Sequence, residues 1–491
     1  RAGLGTIDYD VAREWLQGAL HEAQAVVSHA DPDRVTEALD SAAAAFTAVE
    51  LPFRVLPALI AGAESRLKDN DAPGAVRRLE AAVRLLDLRR ESIRIEPRRA
   101  AVFDAARGVI DRIVLLKLAA GRTAEALDYM DRGRASLAAA GRTEARGDAG
   151  PRGPRGEVVV EYARIADTLL AWTVAENRVD VSRTVVDTLR LARTVRELEG
   201  RLQGGAPEAE IQPALSQLYD WLIRPVERSL GAGETPLVVV ADGEIAAVPF
   251  AALFDARRRR YLVQDRPLRF AVSLREARRG PVTQPANAVL LVADPAFDRR
   301  EHPLLERLAH AQQEVRAIAA GYPAPTVLAG ADATRPGVQR ALAGAGVVHF
   351  AGHAVFDDQR PERSYLVLAR GAEPSSAGRL TAADLSRLDL RHVRLVVLSA
   401  CRTVRSGPSR AGGFTGLSGA LLAAGAGAAV GSTWEVDDRF TAALMTRFHA
   451  EYQRRGDGPR ALRDAQLALL QSPDPALRTP AAWAGFRYAG R

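Results

Sequence analysis

The chain has 491 residues, 47% hydrophobic and 26% charged, with a formal net charge of +7; that is too long for one core, and two or three domains are expected. Of its 67 basic residues all but Lys68 and Lys117 are arginine, and 60 acidic residues lie among them, so the charge reads as an arginine-rich composition rather than a general nucleic-acid surface. One cysteine excludes an internal disulfide, and no apolar run reaches the roughly 18 residues that argue for a membrane-inserted helix.

The opening "RAGLGTIDYD" has no signal-peptide pattern and no Met. A trimmed natural start and a cytoplasmic location are the expectations. Residues 1–145 read as helices only, with apolar residues at helical spacing in "AREWLQGALHEAQAVV" (12–27), "GAVRRLEAAVRLLDL" (74–88) and "AEALDYMDRGRASLAAA" (124–140). Ala38, Ala75 and Ala126 each follow a turn and start a helix with a small residue. Their spacing is uneven and longer than the roughly 34 residues of a tetratricopeptide unit. Small residues let paired helices approach closely, and stacked pairs share a core and leave a concave face. The competing reading is an irregular helical bundle.

Residues 146–156, within "GRTEARGDAGPRGPRGE" (141–157), read as a Gly/Pro/Arg linker. The region 157–234 reads as a small antiparallel meander (157–186) and a helical pair (187–203, 208–230). From 235 to 491 strands and helices alternate. Strands are expected at 237–241, 245–248, 261–264, 268–272, 288–293, 326–329, 347–351, 365–369, 393–399, 428–433 and 484–489. Helices are expected at about 303–320, 334–343, 381–387, 415–425, 437–455 and 458–471. Apolar strands separated by helices predict a mostly parallel sheet covered on both faces, with sites at the C-terminal strand ends.

Cys401 follows the strand in "VRLVVLSACRT" (393–403), and His353 follows "VVHF" in the loop "AGHAVFDD". If those strands are parallel neighbours, thiol and imidazole meet at one sheet edge. A thiol with free pKa of about 8.5 then gains a base, and the leaving amine gains an acid. Backbone N–H groups of Cys401 and of Gly352 and Ala354, which flank His353, are candidate oxyanion donors. Against this stands the commonest fate of a lone cysteine, a small buried hydrophobe. His349 and His353 are four apart, but Val347, Val348 and Phe350 argue strand and no ligand set completes a metal site. His349 is read as structural, and no metal or cofactor is expected.

Several motifs in order resemble the CHAT family of caspase-like cysteine peptidases. They are "LVVVADGEIAAVPFAALFD" (237–255), "LRFAVSLREA" (268–277), "HFAGHA" (349–354), "LTAADL" (380–385), "VVLSACRT" (396–403), "GLSGALLAAGAGAAVGSTWEVDD" (416–438) and the closing "ALRDAQLALL…PAAWAGFRYAG" (461–490). The resemblance covers about 157–491, and the helical N-terminus is similar to that family's usual tetratricopeptide partner. It implies a multidomain chain: a TPR-like helical repeat domain, then an α/β caspase-like domain with a mostly parallel central sheet. It also implies His353 as general acid/base and Cys401 as nucleophile.

"STWEVDDRFTAAL" (432–444) resembles the separase stretch in which an acidic residue binds a basic P1 side chain. Asp438 is the closest match and Asp437 the next, with Trp434 as pocket wall or core residue. The competing role for the acids is helix capping. One departure is Gly412, where many relatives carry an acid. The loop 402–413, rich in Arg and Gly, is a candidate switch or self-cleavage site.

The resemblance therefore implies a cysteine endopeptidase cutting a protein substrate after Arg or Lys. A regulatory protein would bind the helical repeats, as in bacterial defence or stress signalling. The other reading is a non-catalytic scaffold with a relic dyad. A P-loop reading fails, because the Gly-rich "AAGAGAAVG" (423–431) precedes a strand rather than a helix.

Overall fold

The structure, a computed structural model, describes residues 9–27, 32–48, 52–90, 96–138, 152–231, 233–280, 288–357, 359–371, 378–400 and 416–491. These form two compact units, Arg1–Ser136 and Leu137–Arg491.

The first unit holds α1 (Tyr9–Val27), α2 (Pro32–Ala48), α3 (Pro52–Lys68), α4 (Ala72–Arg90), α5 (Glu96–Ala119) and α6 (Thr123–Ala138). Short connections fold consecutive helices back on one another, and α1 to α5 pack in sequence order. Their contacts are made of small residues: Ala42, Ala58, Ala63, Ala75, Ala82 and Ala126 are all buried. Ala38, Ala75 and Ala126, the three aligned positions of the sequence pattern, all lie inside. Arg78 of α4 is buried and forks onto the Asp40 carboxylate of α2, with Nε 2.7 Å from Oδ1, which fixes two helices separated in sequence.

The second unit opens with β1 (Val158–Ile165), β2 (Thr168–Ala175) and β3 (Arg178–Val185), then α7 (Thr188–Gln203) and α8 (Glu208–Leu222). Next come β4 (Leu237–Val240), α9 (Gly243–Ala247), β5 (Phe254–Asp255), β6 (Arg260–Tyr261), α10 (Leu262–Asp265), β7 (Leu268–Ala271) and α11 (Leu274–Ala277). The alternating part runs β8 (Ala288–Ala293), α12 (Ala311–Ala319), β9 (Ala324–Ala329), α13 (Arg335–Leu342), β10 (Val347–Ala351), β11 (Ala354–Val355), β12 (Tyr365–Val367) and β13 (Arg379–Thr381). It continues α14 (Ala382–Leu385), β14 (Leu395–Ser399), α15 (Gly416–Ala423), β15 (Ala428–Ser432), α16 (Asp438–Arg455), α17 (Gly458–Leu470), α18 (Pro480–Trp483) and β16 (Phe486–Gly490).

Eleven strands form one sheet in the order β3-β2-β1-β4-β7-β16-β15-β14-β10-β8-β9. Pairing is parallel except for β1 with β2, β2 with β3, and β15 with β16. Period-2 alternation splits the site strands between two cores. Val347 and Ala351 of β10 and Leu395 and Val397 of β14 face the larger core, which also takes Val315 of α12 and Phe448 of α16. Val348, Phe350, Val396 and Leu398 face a second core with Val338 of α13 and Leu417 of α15.

The meander is not a small sheet of its own. β1 lies parallel to β4, from Val158 opposite Leu237 to Glu161 opposite Val240, and its Val158, Val160 and Tyr162 sit in the larger core. Part of the linker region is docked as well: Gly153 N donates to Glu176 O at 2.8 Å. Residues 146–151 of that region lie outside the described residues.

Four expected elements differ. Of 245–248, residues 245–247 fall on α9 and Val248 is its extended C-cap rather than strand; Gly243, at φ 52, opens the helix and Pro249 follows the cap. Of 261–264 only Tyr261 is in a strand, and Leu262 begins α10. The helix expected over 208–230 stops at Leu222, two residues before the Arg224–Pro225 bond that disfavours helical backbone. The helix expected from 303 begins at Ala311.

Gly458, the first residue of α17, lies against the fully buried Tyr488; a Cβ there would stand 2.0 Å from that ring. Gly458→Ala is expected to cost about 1–3 kcal/mol by overpacking. The check is a lower denaturant midpoint at unchanged m-value.

Candidate functional site

β10 and β14 are parallel neighbours, with Ala351 opposite Ser399. His353 is two residues beyond Ala351, and Cys401 is two residues beyond Ser399, so the chain leaves both strands at one edge. Cys401 and the loop 402–413 lie outside the described residues, as does Gly412. The frame leading to them is described. Ser399 Oγ donates to Glu314 Oε1 at 2.8 Å, and Ser432 Oγ donates to Ala400 O at 2.9 Å. Both strand-end residues are thus anchored from neighbouring elements.

Gly352 is tightly enclosed: a Cβ would lie 2.7 Å from the Phe350 ring and 3.1 Å from Pro295 Cδ. A side chain there would have to displace the Phe350 ring or Pro295. Its N–H reaches Ser399 O at 3.4 Å, a long bond that it gives up if it serves an oxyanion. Ala354 enters β11 and pairs with Leu366. The carbonyl between them is fixed too, since Val367 N donates to His353 O at 2.9 Å.

The His353 ring is half-buried, with Nε2 2.5 Å from Glu306 O. A carbonyl only accepts, so Nε2 carries a proton, and Nδ1 is the nitrogen a base role would use. Phe297 meets the ring edge-on at 5.4 Å and 87°. Sequence reasoning missed both partners. Glu306 contributes its backbone, which side-chain identity does not signal, and Phe297 sits in a connection without periodicity.

Asp437 and Asp438 part company. Asp437 is exposed and caps α16, accepting from Arg439 N at 2.8 Å. Asp438 turns inward: its Oδ2 accepts from His310 N at 2.7 Å, and burial pushes its carboxyl up from the usual range. Trp434 is 1% exposed in the larger core and backs the turn before α16. His349 sits within β10, 0% exposed, on the face covered by α12 and α16. Beyond His353, a pocket of about 680 Å³ is lined by Phe356, Asp357, Glu362, Tyr365 and Arg379, among others. The Arg379 guanidinium lies 4.9 Å over the Tyr365 ring.

The CHAT domain family model matches residues 212–491. The chain belongs to the CHAT domain family, with TPR-like helical repeats preceding the caspase-like domain. It is similar to tetratricopeptide repeat protein 28 of Mus musculus, at 29% identity over 337 residues, covering 57% of this chain and 13% of that protein. It is similar to the Homo sapiens protein of the same name at 28% identity over 331 residues, again 57% and 13%. The chain thus aligns with only a small part of those much longer relatives. In fold it is similar to the Saccharomyces cerevisiae separase in a separase–securin complex, with TM-score 0.52, 9% identity, and coverage of 86% of this chain and 37% of that one. Among the described residues, no helix is long and apolar enough to cross a membrane.

Proposed function

We propose that the protein is a cysteine endopeptidase with His353 as general acid/base and Cys401 as nucleophile. The observation that carries the reading is the register of β10 and β14, which sets both residues equally far beyond a paired Ala351 and Ser399. With its Nε2 proton held on Glu306 O, His353 takes the thiol proton at Nδ1 as sulfur attacks the substrate carbonyl. The tetrahedral oxyanion is met by backbone N–H groups, for which Cys401 and Ala354 are the candidates, with Gly352 once freed from Ser399. His353 then returns the proton to the leaving amine. Water, deprotonated by the same nitrogen, hydrolyses the thioester and restores the thiol.

The test is the pH dependence of Cys401 alkylation in wild type and His353→Ala. It needs no substrate. An assembled pair gives a rate profile shifted below the free-thiol pKa of about 8.5, and the shift disappears in the variant. An ordinary profile in both proteins sinks the reading.

Asp438 is the candidate for P1 recognition. It is half-buried near the segment that holds His353, and one of its oxygens is committed to His310 N, which leaves the other for a guanidinium or ammonium. Asp438→Asn is expected to cost about tenfold or more in kcat/KM for Arg-P1 peptides, in line with the ~1.5–3 kcal/mol of a hydrogen bond to a charged group, while neutral-P1 peptides change little. Because its carboxyl is pushed up, the wild-type preference for Arg should fade as pH drops toward that raised value. The proposed role of residues 1–145 is to recruit the substrate or a regulatory protein.

A further inference from the structure

We propose that Glu314 is a positioning residue for this site: its buried carboxyl holds the end of β14, two residues before Cys401, and packs against His349 of β10, four residues before His353. The inference rests on the dyad reading above. Glu314 lies in the first turn of α12 and is 2% exposed. Its Oε1 accepts from Ser399 Oγ at 2.8 Å and stands 2.9 Å from His349 Nε2, a close contact off the line of a directed hydrogen bond. Behind it His349 Nδ1 is 3.1 Å from His449 Nε2 of α16, and His449 Nδ1 is 2.9 Å from the Tyr322 hydroxyl.

This polar cluster sits in a face where apolar side chains pack readily, as Val315 and Ile318 of the same helix do. Burying a carboxyl there costs free energy that a leucine would not. What the carboxyl adds is the hydrogen bond that fixes the end of β14. The same stretch of chain touches the site at three points: Glu306 O on His353, His310 N on Asp438, and Glu314 on Ser399. A shift of α12 therefore reaches the acid/base, the candidate P1 carboxylate and the strand end before Cys401 together.

Burial pushes the Glu314 carboxyl up to about 8 and holds His349 down to about 3, with His449 also held well below the usual range. Burial thus favours the uncharged form of the carboxyl, and glutamine keeps an uncharged acceptor of the same shape for Ser399.

The experiment measures Cys401 alkylation by iodoacetamide against pH in the full chain. The variants are Glu314→Gln, Glu314→Ala, Ser399→Ala and His353→Ala, with Val315→Ala as a packing control; Tm is recorded for each. Glu314→Ala and Ser399→Ala are expected to move the profile toward the free-thiol value and slow labelling at pH 7 about tenfold, the consequence of about one pH unit in thiol ionisation. Glu314→Gln should keep the wild-type profile, and Val315→Ala should lower Tm without moving it. If Glu314→Ala does not fold, Ser399→Ala carries the same comparison. A wild-type profile in Ser399→Ala or in folded Glu314→Ala, while His353→Ala shifts it, overturns this inference alone. So does an equal shift in Val315→Ala. No shift in His353→Ala overturns the dyad reading and this one with it.

Discussion

Cys401→Ala is expected to abolish peptide-bond cleavage, and His353→Gln to lower kcat/KM by about 10²–10⁴, the usual contribution of a positioned general base. Glutamine is the sharper histidine variant because its amide can still donate to Glu306 O while offering no base. The measurement is cleavage of a peptide library with Arg or Lys at P1, with the activating partner supplied where basal turnover is low. If His353→Gln cleaves like wild type, the acid/base role falls. If a cellular output survives Cys401→Ala unchanged, the scaffold reading replaces the peptidase one. Binding of a partner to the helical repeats should survive both substitutions, which separates lost chemistry from lost recruitment.

Arg269→Met is expected to destabilise the second unit by about 3–5 kcal/mol, the cost of leaving one member of a buried ion pair alone. Arg269 of β7 is 0% exposed and forks onto Glu157, with Nε 2.8 Å from Oε1 and Nη2 2.6 Å from Oε2. It also donates to Gly490 O and Ala277 O, at 3.1 and 2.6 Å. One guanidinium thus joins the residue before β1, the end of β16 and α11. The double variant Glu157→Leu with Arg269→Met should recover much of the loss, since removing both charges leaves no unpaired one. Urea unfolding of the three proteins checks both statements. A single variant within 1 kcal/mol of wild type, a difference the linear extrapolation resolves through the midpoint, would contradict them.

The alternating core strands were legible because β8, β10 and β14 are buried on both faces and read as apolar runs bounded by polar turns. Their adjacency followed from the connection rules for parallel strands. The repeat helices showed through alanines that prove to be buried. Less visible was the sharing of one sheet by the meander and the later strands. β1 reaches β4 across β2, β3, α7 and α8, and nothing local in "EVVVEYARI" reports that distant pairing. In the site, His353 was found by its place after a strand. Glu306 was not, because its carbonyl acts and its side chain does not. Glu314 was hidden inside a stretch expected to be helix from residue 303, where an acid reads as a solvent-facing position. α12 itself begins at Ala311, later than the sequence pattern placed it.

β16 has a consequence for the order of manufacture. It lies between β15 and β7, so among the described residues the blocks β3-β2-β1-β4-β7 and β15-β14-β10-β8-β9 of the large sheet pair with one another only through it. A growing chain carries both blocks out of the ribosome before it carries the piece that welds them. Chains emerge at about 5–20 residues per second and earlier regions fold first, so the blocks wait many seconds as separate, open-edged sheets. Until β16 is available, the sheet lacks the strand that pairs with both β15 and β7.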